Sequence, residues 1–532
     1  INENNVTTCE VIEDARQKNK LGLMLAVDFS KAFDCMSHRF IRNSLRHFGF
    51  GDKFISYINT LITDFQAGVL HAGNLSAYFK LQRGAKQGDP IAALLFIVAV
   101  EILCIRLRED KDIKHYVFDE ETNTCIKLVI YADDLNLFLE YDENSLRKAL
   151  QILEDFKRIS GLEIQVKKTQ VVLLGRKYIE QEHKLCNDIN LKWDQQFRLL
   201  GLDYDAYNNN NITVNYDNKL NEIFEEMSTW RTKFLSIRAR NNIVNGLFLS
   251  KLTHIAAVLP NLPDKEIKKI ETRLYDFIWG GTPKIEREES KLTYEKGGLN
   301  FPDLASAWMA LKLPWLRRLE YCTGTKWYRI LDIKIKHVDK NMDIAKFTTW
   351  STTQISTVRR KIRSRIWKAI FQSLEIYIRK DILLNKEKAL KLNIWGCGII
   401  KNNAGNKLSV GKVRSLESTG ILPAQLIDFR NNGQKSVFPI AHIKKTYPKL
   451  KPNHIKNAHE GLSNLLVSLD HEKIDGSYQT PCRSYLQENI YKFKKGSSWW
   501  VKSLKPNMDI LKNVRKREEK WRIALNDNTM ER

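Results

Sequence analysis

Apolar runs at the start of the chain alternate with segments that carry apolar residues at helical spacing. The run LGLMLAVDF at 21–29 is apolar almost throughout, which is typical of a strand buried on both faces. Segment 67–84 predicts two short strands around a Gly-Asn turn, and VVLLG at 171–175 predicts one more strand. Four segments have helical spacing: 37–50, 52–65, 89–110 and 143–161. We therefore predict an α+β arrangement in which helices support an antiparallel hairpin.

That hairpin is the stretch IYADDLNLFL at 130–139, where two apolar runs meet at Asp133 and Asp134. Adjacent carboxylates repel each other, so an opposing charge or a bound proton must compensate for them. A divalent cation is one solution, since hard cations prefer carboxylate oxygens. A solvated Asp-Asp turn is the alternative, and this stretch alone does not decide between the two.

A third carboxylate shifts the balance toward a metal site. Asp28 ends the apolar run at 21–29, so it could face the tip of the hairpin. The alternative role for Asp28 is a helix N-cap, which Ser30 could fill equally well. Three carboxylates on neighbouring strand ends could hold two metal ions for phosphoryl displacement.

The loop RGAKQGDP at 83–90 lies between the two acidic strand ends in the sequence. Backbone N–H groups before a helix can bind phosphate or a base edge, and Gln87 and Gly88 are the candidate contacts. A plain glycine turn is the alternative explanation of this loop.

Beyond about residue 210 the sequence pattern is mainly that of helices. Amphipathic helices are predicted at 216–257, 264–279 and 305–321, with breaks at GGTP (280–283) and Pro314. Weaker helical signals continue beyond about residue 330.

The net charge of +24 is concentrated in the second part of the chain. Residues 1–200 hold 27 Lys and Arg against 28 Asp and Glu, whereas residues 201–532 hold 59 against 34. Eleven of the twelve Trp also follow residue 200. A basic surface with aromatic residues favours nucleic acid, although a cationic surface over Trp-rich cores explains the same composition.

Other composition features exclude some classes of protein. The eight cysteines never form a CxxC pair, so their spacing predicts neither a zinc site nor a disulfide framework. No run of eighteen apolar residues occurs, so we expect no membrane span. The chain opens INENNVTT without a signal pattern, and we expect it to be part of a longer reading frame that is not secreted.

Five motifs in order resemble motifs A to E of a reverse transcriptase palm of the non-LTR (LINE-type) retrotransposon family. They are LAVDFSKAFD, RGAKQGDP, YADD, SGLEIQVKKT and FRLLGLDY. The similarity continues through segments 230–254, 277–281 and 294–304, which look like the family's thumb and the segment beyond it. The KAFD form and the later segments argue against an intron maturase or telomerase relative. Departures are Ala92-Ala93, where Ser-Pro is usual, and Gln165, where Asn is usual.

The resemblance implies a domain order and a cofactor. A palm with incomplete fingers would span 1–205, a helical thumb and connection 206–330, and a basic, mainly helical region 331–532. The family's endonuclease, most of the fingers and its C-terminal Cys/His cluster would be missing. Two Mg²⁺ ions, or Mn²⁺ in their place, would bind Asp28, Asp133, Asp134 and the carbonyl of Phe29.

The resemblance also implies roles for further residues. Phe33 would be a steric gate against the ribose 2′-OH, although a core Phe is a serious alternative. Lys168 would donate a proton to pyrophosphate, although an exposed basic turn is equally plausible. Nucleotide contacts would come from Gln87, Gly88 and Tyr131, and the primer grip from Leu200 and Gly201.

The function implied is RNA-directed DNA synthesis from a primer 3′-OH. An RNA template, a DNA primer, dNTPs and the element's own RNA would be the partners, with no membrane, in the nucleus, the cytoplasm or both. The alternative is a catalytically dead remnant that still binds nucleic acid.

Overall fold

In a computed structural model, the protein divides into two compact units, Ile1–Asn215 and Tyr216–Arg532. The structure describes residues 1–469 apart from 31, 64, 85–87, 165–167, 180–184, 187, 209–210, 385, 396, 398–399, 407, 409–420, 429–435 and 449. The domain boundaries at 205 and 330 remain predictions.

The first unit is a mixture of helices and short antiparallel strands. Its elements are α1 (Asn2–Lys18), β1 (Gly22–Val27), β2 (Phe29–Ser30), α2 (Ala32–Cys35), α3 (His38–His47), α4 (Asp52–Ile62), β3 (Gln66–Ala67), β4 (Leu70–His71), β5 (Asn74–Leu75), β6 (Phe79–Lys80), α5 (Pro90–Glu109), β7 (Tyr116–Asp119), β8 (Thr124–Ile126), β9 (Leu128–Tyr131), β10 (Asp134–Glu140), α6 (Glu143–Ser160), β11 (Glu163–Ile164), β12 (Gln170–Leu174), β13 (Lys192–Trp193), β14 (Gln196–Leu199) and β15 (Leu202–Asp205).

A five-stranded sheet in the order β13-β12-β1-β10-β9 forms the centre of this unit. Strand β1 is its middle strand and pairs antiparallel with both β10 and β12. Because both neighbours cover its edges and helices cover its faces, five of its six residues are buried. This explains why the strand is apolar without alternation.

The two faces of the sheet carry different helices. Leu23 and Leu25 of β1 and Leu137 of β10 share a core with residues of α3, α5 and α6. The alternate positions Met24 and Phe138 lie opposite each other in the register and face away from that core. On that side α1 packs against β9 and β12.

Helix α5 is the one helix in the described ranges that is long and apolar enough to cross a membrane by length and composition. A core helix of a soluble protein passes the same test. Eight of its residues are buried, and it packs against α3 and α6. Its apolar character therefore has a structural explanation within the first unit.

The predicted elements of this unit mostly occur where the sequence placed them, with one correction. The turn in segment 67–84 is at Ala72-Gly73, where both residues have positive φ, and the strands there number four. Helix α1 and the β7–β8 hairpin were not predicted.

The second unit is almost entirely helical. Its elements are α7 (Asn211–Arg231, which begins in the first unit), α8 (Ile237–Ile243), a π-helical turn (Val244–Phe248), α9 (Leu249–Val258), α10 (Asp264–Trp279), α11 (Arg287–Ser290), a 3₁₀ turn (Tyr294–Lys296), α12 (Leu304–Lys312), α13 (Pro314–Arg318), α14 (Lys326–Val338), a 3₁₀ turn (Ile344–Thr349), α15 (Thr352–Lys361), α16 (Arg365–Leu384), 3₁₀ turns (Lys386–Lys391, Pro423–Leu426), β16 (Ile427–Asp428), β17 (Ser436–Val437), α17 (Ile440–Thr446) and α18 (Pro452–Ser468).

The tryptophans of this unit build its interior. Trp327 stacks on Trp367 with ring centroids 5.7 Å apart, and Trp315 packs edge-on against both. Between Trp279 and Trp395 every Trp is buried. The Trp-rich core, rather than stacking on nucleic acid, therefore accounts for these residues.

A buried histidine in the first unit makes stability depend on pH. His115 is 7% exposed, and its backbone forms an isolated β-bridge with Leu139 of β10. Burial, with a smaller effect of the Lys127 charge, lowers the pKa of His115 to about 4. The unfolded side chain takes up a proton near pH 6.5, whereas the folded one stays neutral until about pH 4.

We predict that the free energy of unfolding falls as the pH drops from 6.5 to 4, by up to about 3 kcal/mol from this residue. Replacing His115 with Gln should flatten that part of the profile. Denaturant unfolding at several pH values measures the effect, with His71→Gln on an exposed strand as the control. An unchanged profile in His115→Gln would contradict this role of the buried ring.

Candidate active site

The register of two strands brings the three predicted carboxylates to the same end of the sheet, where the strands begin and end. Val27, the last residue of β1, lies opposite Leu135 of β10. Asp28 follows Val27 directly, and Asp133 and Asp134 precede Leu135. Because antiparallel partners keep this pairing, the chain leaves β1 where it enters β10.

The hairpin holds its two carboxylates on a tight turn. Tyr131 pairs with Asp134, so Ala132 and Asp133 form the turn, and Ala132 has a φ of 53°. Both aspartates reach solvent, Asp134 being only partly buried, whereas Leu128, Val129 and Leu135 beside them are buried. Tyr131 is 46% exposed at the end of β9. Buried flanks thus anchor a tip that is open to solvent.

The negative charges at this end of the sheet affect the pKa of Asp134. The pKa of Asp134 is raised, first by partial burial and then by the negative charges of Asp133 and Asp28. The strand register already places the three groups at one end of the sheet, so their negative charges oppose one another. A bound cation would relieve this repulsion.

Lys168 places a positive charge beside the first carboxylate. Its Nζ lies 3.8 Å from Oδ2 of Asp28, in the turn before β12. The side chains are 68% and 45% exposed, so this ion pair adds little stability. It does bring together two residues that lie 140 positions apart in the chain.

Phe29 and Phe33 follow Asp28 and differ in their surroundings. Phe29 is buried in β2, opposite Ile164 of β11. Phe33 is partly buried in α2, and its ring centroid lies 4.8 Å from that of Phe96 in α5. Phe33 therefore contacts the core while keeping part of its surface exposed.

The glycine-rich loop is anchored to the segment that follows α2. The Gly84 N–H donates to the Met36 carbonyl at 2.8 Å, and the His38 ring nitrogen lies 2.8 Å from the Gly84 carbonyl. Gly88 is exposed with a φ of 88°, and the Asp89 side chain caps α5. Gln87 lies outside the described residues.

The predicted primer grip is the turn between β14 and β15. Leu200 and Gly201 have φ values of 47° and 83°, as a two-residue type I′ hairpin turn requires. This hairpin forms a separate two-stranded sheet.

Sequence reasoning missed the contribution of α1 to this region. The Asn4 side chain donates to the Ile130 carbonyl of β9, and the Asn5 side chain contacts Tyr204 and Leu200. The sequence pattern did not predict this helix, because polar side chains are buried on it beside Val6, Val11 and Ile12 and obscure the apolar stripe. The paired asparagines were the available signal.

The carboxylates are neighbours rather than a closed cage. Within the described residues, no group of three or more His, Cys, Asp or Glu is arranged so that it could hold a metal ion. Metal binding would therefore require these exposed side chains to converge.

Comparison with known proteins matches the first part of the chain to a known family. Residues 2–204 match the family described as reverse transcriptase (RNA-dependent DNA polymerase). Over 316 residues the chain is 26% identical to the transposon TX1 uncharacterized 149 kDa protein of Xenopus laevis, covering 59% of this chain and 24% of that protein.

Residues 2–204 therefore resemble a reverse transcriptase domain of the LINE type.

Further relatives of the domain are retrotransposon Pol polyproteins. The type-1 element R2 protein of Popillia japonica is 28% identical over 159 residues, which cover 30% of this chain and 22% of that protein. The type-2 element R2DM protein of Drosophila melanogaster is 32% identical over 146 residues, covering 27% and 13%. The chain thus spans about a quarter or less of the length of these curated relatives.

Solved telomerase structures overlap the chain only loosely. The telomerase of Candida albicans, in complex with a fragment of telomeric RNA, is 12% identical and covers 64% of this chain and 52% of its own, with a TM-score of 0.31. Apo telomerase of Candida tropicalis is 13% identical and covers 72% and 54%, with a TM-score of 0.30. The fold assignment rests on the family match instead.

Two glycines of the loop at 83–90 differ in a way that mutation can test. Both have positive φ, but a Cβ on Gly84 would lie 2.6 Å from the Asp34 carbonyl oxygen, whereas a Cβ on Gly88 meets nothing within 4 Å. We predict that Gly88→Ala costs about 1–2 kcal/mol of unfolding free energy from backbone strain alone. Gly84→Ala should cost about 2–4 kcal/mol, because a backbone clash is added. Denaturant unfolding measures both variants, and equal losses would contradict the anchoring of the loop at Gly84.

Proposed function

We propose that this chain supplies the RNA-directed DNA polymerase of a LINE-type retrotransposon. The primer 3′-oxygen would form a bond to the α-phosphorus of a dNTP, and the bond from that phosphorus to pyrophosphate would break. The observation that carries the proposal is the pairing of β1 with β10, which brings Asp28 to the hairpin tip with Asp133 and Asp134. It lies within the segment that matches the reverse transcriptase family.

The proposed cofactor is a pair of Mg²⁺ ions, with Mn²⁺ as an alternative, because hard cations prefer carboxylate oxygens. Asp28, Asp133, Asp134 and the Phe29 carbonyl would hold them. The negative charges of Asp133 and Asp28, which add to the effect of burial in raising the pKa of Asp134, favour bound cations. When bound, the ions would supply neutralisation of the charge that develops on the phosphoryl oxygens.

Neighbouring residues would orient the reactants. Lys168, placed beside Asp28, would donate a proton to the departing pyrophosphate. The exposed part of Phe33 would exclude a ribose 2′-OH. Gln87, Gly88 and Tyr131 would contact the nucleotide and template, and Leu200 and Gly201 would hold the primer end.

The second unit offers a surface for the nucleic acid. Residues 227–263 contain no Asp or Glu and five Lys or Arg. Phe234, between α7 and α8, is 93% exposed and is flanked by the exposed Arg231, Lys233 and Arg238. Phosphates favour such cations, and an exposed ring can stack on a base.

The proposed partners are an RNA template, which would include the element's own RNA, a DNA primer and dNTPs. The proposed location is inside the cell, in the nucleus, the cytoplasm or both.

A second candidate function is nucleic-acid binding without catalysis. The observation that favours it is that the described carboxylates do not form a ready three-ligand metal group. The two functions differ in whether primer extension depends on Asp133.

We predict that Asp133→Asn lowers primer extension on a homopolymer RNA template by on the order of 100-fold or more. The variant loses one of the carboxylates that would hold the cations which neutralise the charge that develops during the reaction. Affinity for the primer–template should be unchanged, because Asp133 would hold a cation and is not among the residues that would contact template or primer. Gel-resolved extension and a binding titration measure the two properties, with Asp112→Asn, also exposed, as the control. Extension at the wild-type rate in Asp133→Asn would defeat the assignment, whereas binding without extension in every form would favour the second function.

We also predict that the cationic residues and the exposed aromatic residue of segment 227–263 contribute differently to nucleic-acid binding. Replacing Arg231 and Lys233 with Ala should reduce the salt dependence of binding, by about 0.7–0.9 in logarithmic slope for each phosphate that is no longer neutralised. Phe234→Ala should weaken binding about tenfold at every salt concentration and leave the slope unchanged. Fluorescence anisotropy with a labelled primer–template provides the measurement.

The control for this experiment is Lys336→Ala, because Lys336 is 54% exposed on α14 and lies off the segment. A slope that stays the same in the Arg231 and Lys233 variant would contradict the placement of phosphates here.

A further inference from the structure

Helix α1 buries polar side chains that would normally face solvent. Asn5, Thr8 and Glu10 are each 0% exposed. Burying a polar group costs free energy unless the group forms hydrogen bonds. The partners of these hydrogen bonds therefore indicate which elements the buried side chains hold together. Asn4 and Asn5, in the first turn, direct their bonds to two different hairpins.

Asn4 contacts the hairpin that carries the carboxylates. Its Nδ2 donates to the Ile130 carbonyl at 2.8 Å. Ile130 lies in β9, three residues before Asp133. The bond therefore fixes α1 to the strand that leads into the hairpin tip.

Asn5 contacts the hairpin that carries the predicted primer grip. The Tyr204 hydroxyl donates to Asn5 Oδ1 at 2.9 Å, and Asn5 Nδ2 reaches the Leu200 carbonyl at 3.5 Å. Tyr204 is 3% exposed, and its ring stacks on Phe197 with centroids 5.0 Å apart. One turn further along α1, the Cys9 thiol lies 3.9 Å from the same hydroxyl.

The two hairpins belong to different sheets. Strands β9 and β10 lie in the five-stranded sheet, whereas β14 and β15 form a sheet of their own. No ladder of backbone hydrogen bonds joins these strand pairs in the described residues. The neighbouring side chains of Asn4 and Asn5 connect them through one rigid helical turn.

We propose that Asn5 is a positioning residue, which with Asn4 holds the Leu200–Gly201 turn at a set distance from the carboxylates. The inference rests on the proposed function, because the turn would carry the primer 3′ end and the carboxylates would mark the reaction centre. A displacement of about 1 Å between reacting groups can cost about 100-fold in rate, so such a link has catalytic value.

Two variants test the link from its two ends. Tyr204→Phe removes the donating hydroxyl and keeps the ring stack, so it should fold normally. Asn5→Ala removes both bonds of the amide. The control is Asn43→Ala, because Asn43 is exposed on α3 of the same unit.

The first measurement is hydrogen–deuterium exchange of residues 199–202 in the chain alone. We expect faster exchange at the turn in both variants and unchanged exchange in the control. The second is primer extension at saturating primer–template and dNTP. Here kcat should fall about tenfold or more, while the Kd for primer–template stays the same. A purely structural loss would instead lower the active fraction without changing kcat per active site, which a burst titration detects.

The outcomes separate this inference from the proposed function. Unchanged exchange at 199–202 in Tyr204→Phe and Asn5→Ala would overturn the positioning role. So would faster exchange with a wild-type kcat. If exchange rises in the variants but even the wild-type chain extends no primer, the structural link stands and the proposed function fails.

Discussion

The pairing of β1 with β10 is the constraint on which the rest of the candidate site depends. Six consecutive residue pairs, from Gly22 with Glu140 to Val27 with Leu135, set where both strands end. A slip of one residue would move every side chain of β10 to the other face and exchange the packing positions of Leu137 and Phe138, both of which are buried. The burial of Leu23, Leu25 and Leu137 therefore stabilises the register that also places Asp28 beside the hairpin tip. Packing energy and the chemistry of the site are coupled through this one alignment.

Electrostatic repulsion opposes that alignment at its open end. The raised pKa of Asp134 reflects partial burial and two neighbouring negative charges, so the folded chain accumulates charge where the strands meet. Lys168 compensates only in part, because its contact with Asp28 is exposed. The apolar core of the first unit, in which α3, α5 and α6 cover one face of the sheet, outweighs this local cost. A rigid scaffold that holds like charges together is suited to binding cations.

Features encoded locally were predictable from the sequence, and features that depend on distant partners were not. The helix at 264–279 occurs over the same range as predicted, because an apolar stripe and Gly280 define it within a few residues. The order of the acidic motifs predicted the candidate site, and the segment that contains these motifs matches the reverse transcriptase family. By contrast, the position of β12 beside β1 and the link from α1 to two hairpins depend on residues more than a hundred positions apart. Composition alone does not show that these asparagines and tryptophans are buried, because the partners that bury them are distant in the sequence.

The most direct test of the proposed metal centre is to map where a redox-active cation binds. Fe²⁺ substituted for Mg²⁺, with ascorbate and peroxide, cleaves the backbone next to its site, and the fragments can be identified by mass spectrometry. We expect cuts grouped near residues 28–29 and 133–134, which disappear with excess Mg²⁺ and are lost in Asp133→Asn. Cuts that fall elsewhere, or cleavage without any preferred position, would contradict a metal centre formed by the ends of β1 and the β9–β10 hairpin.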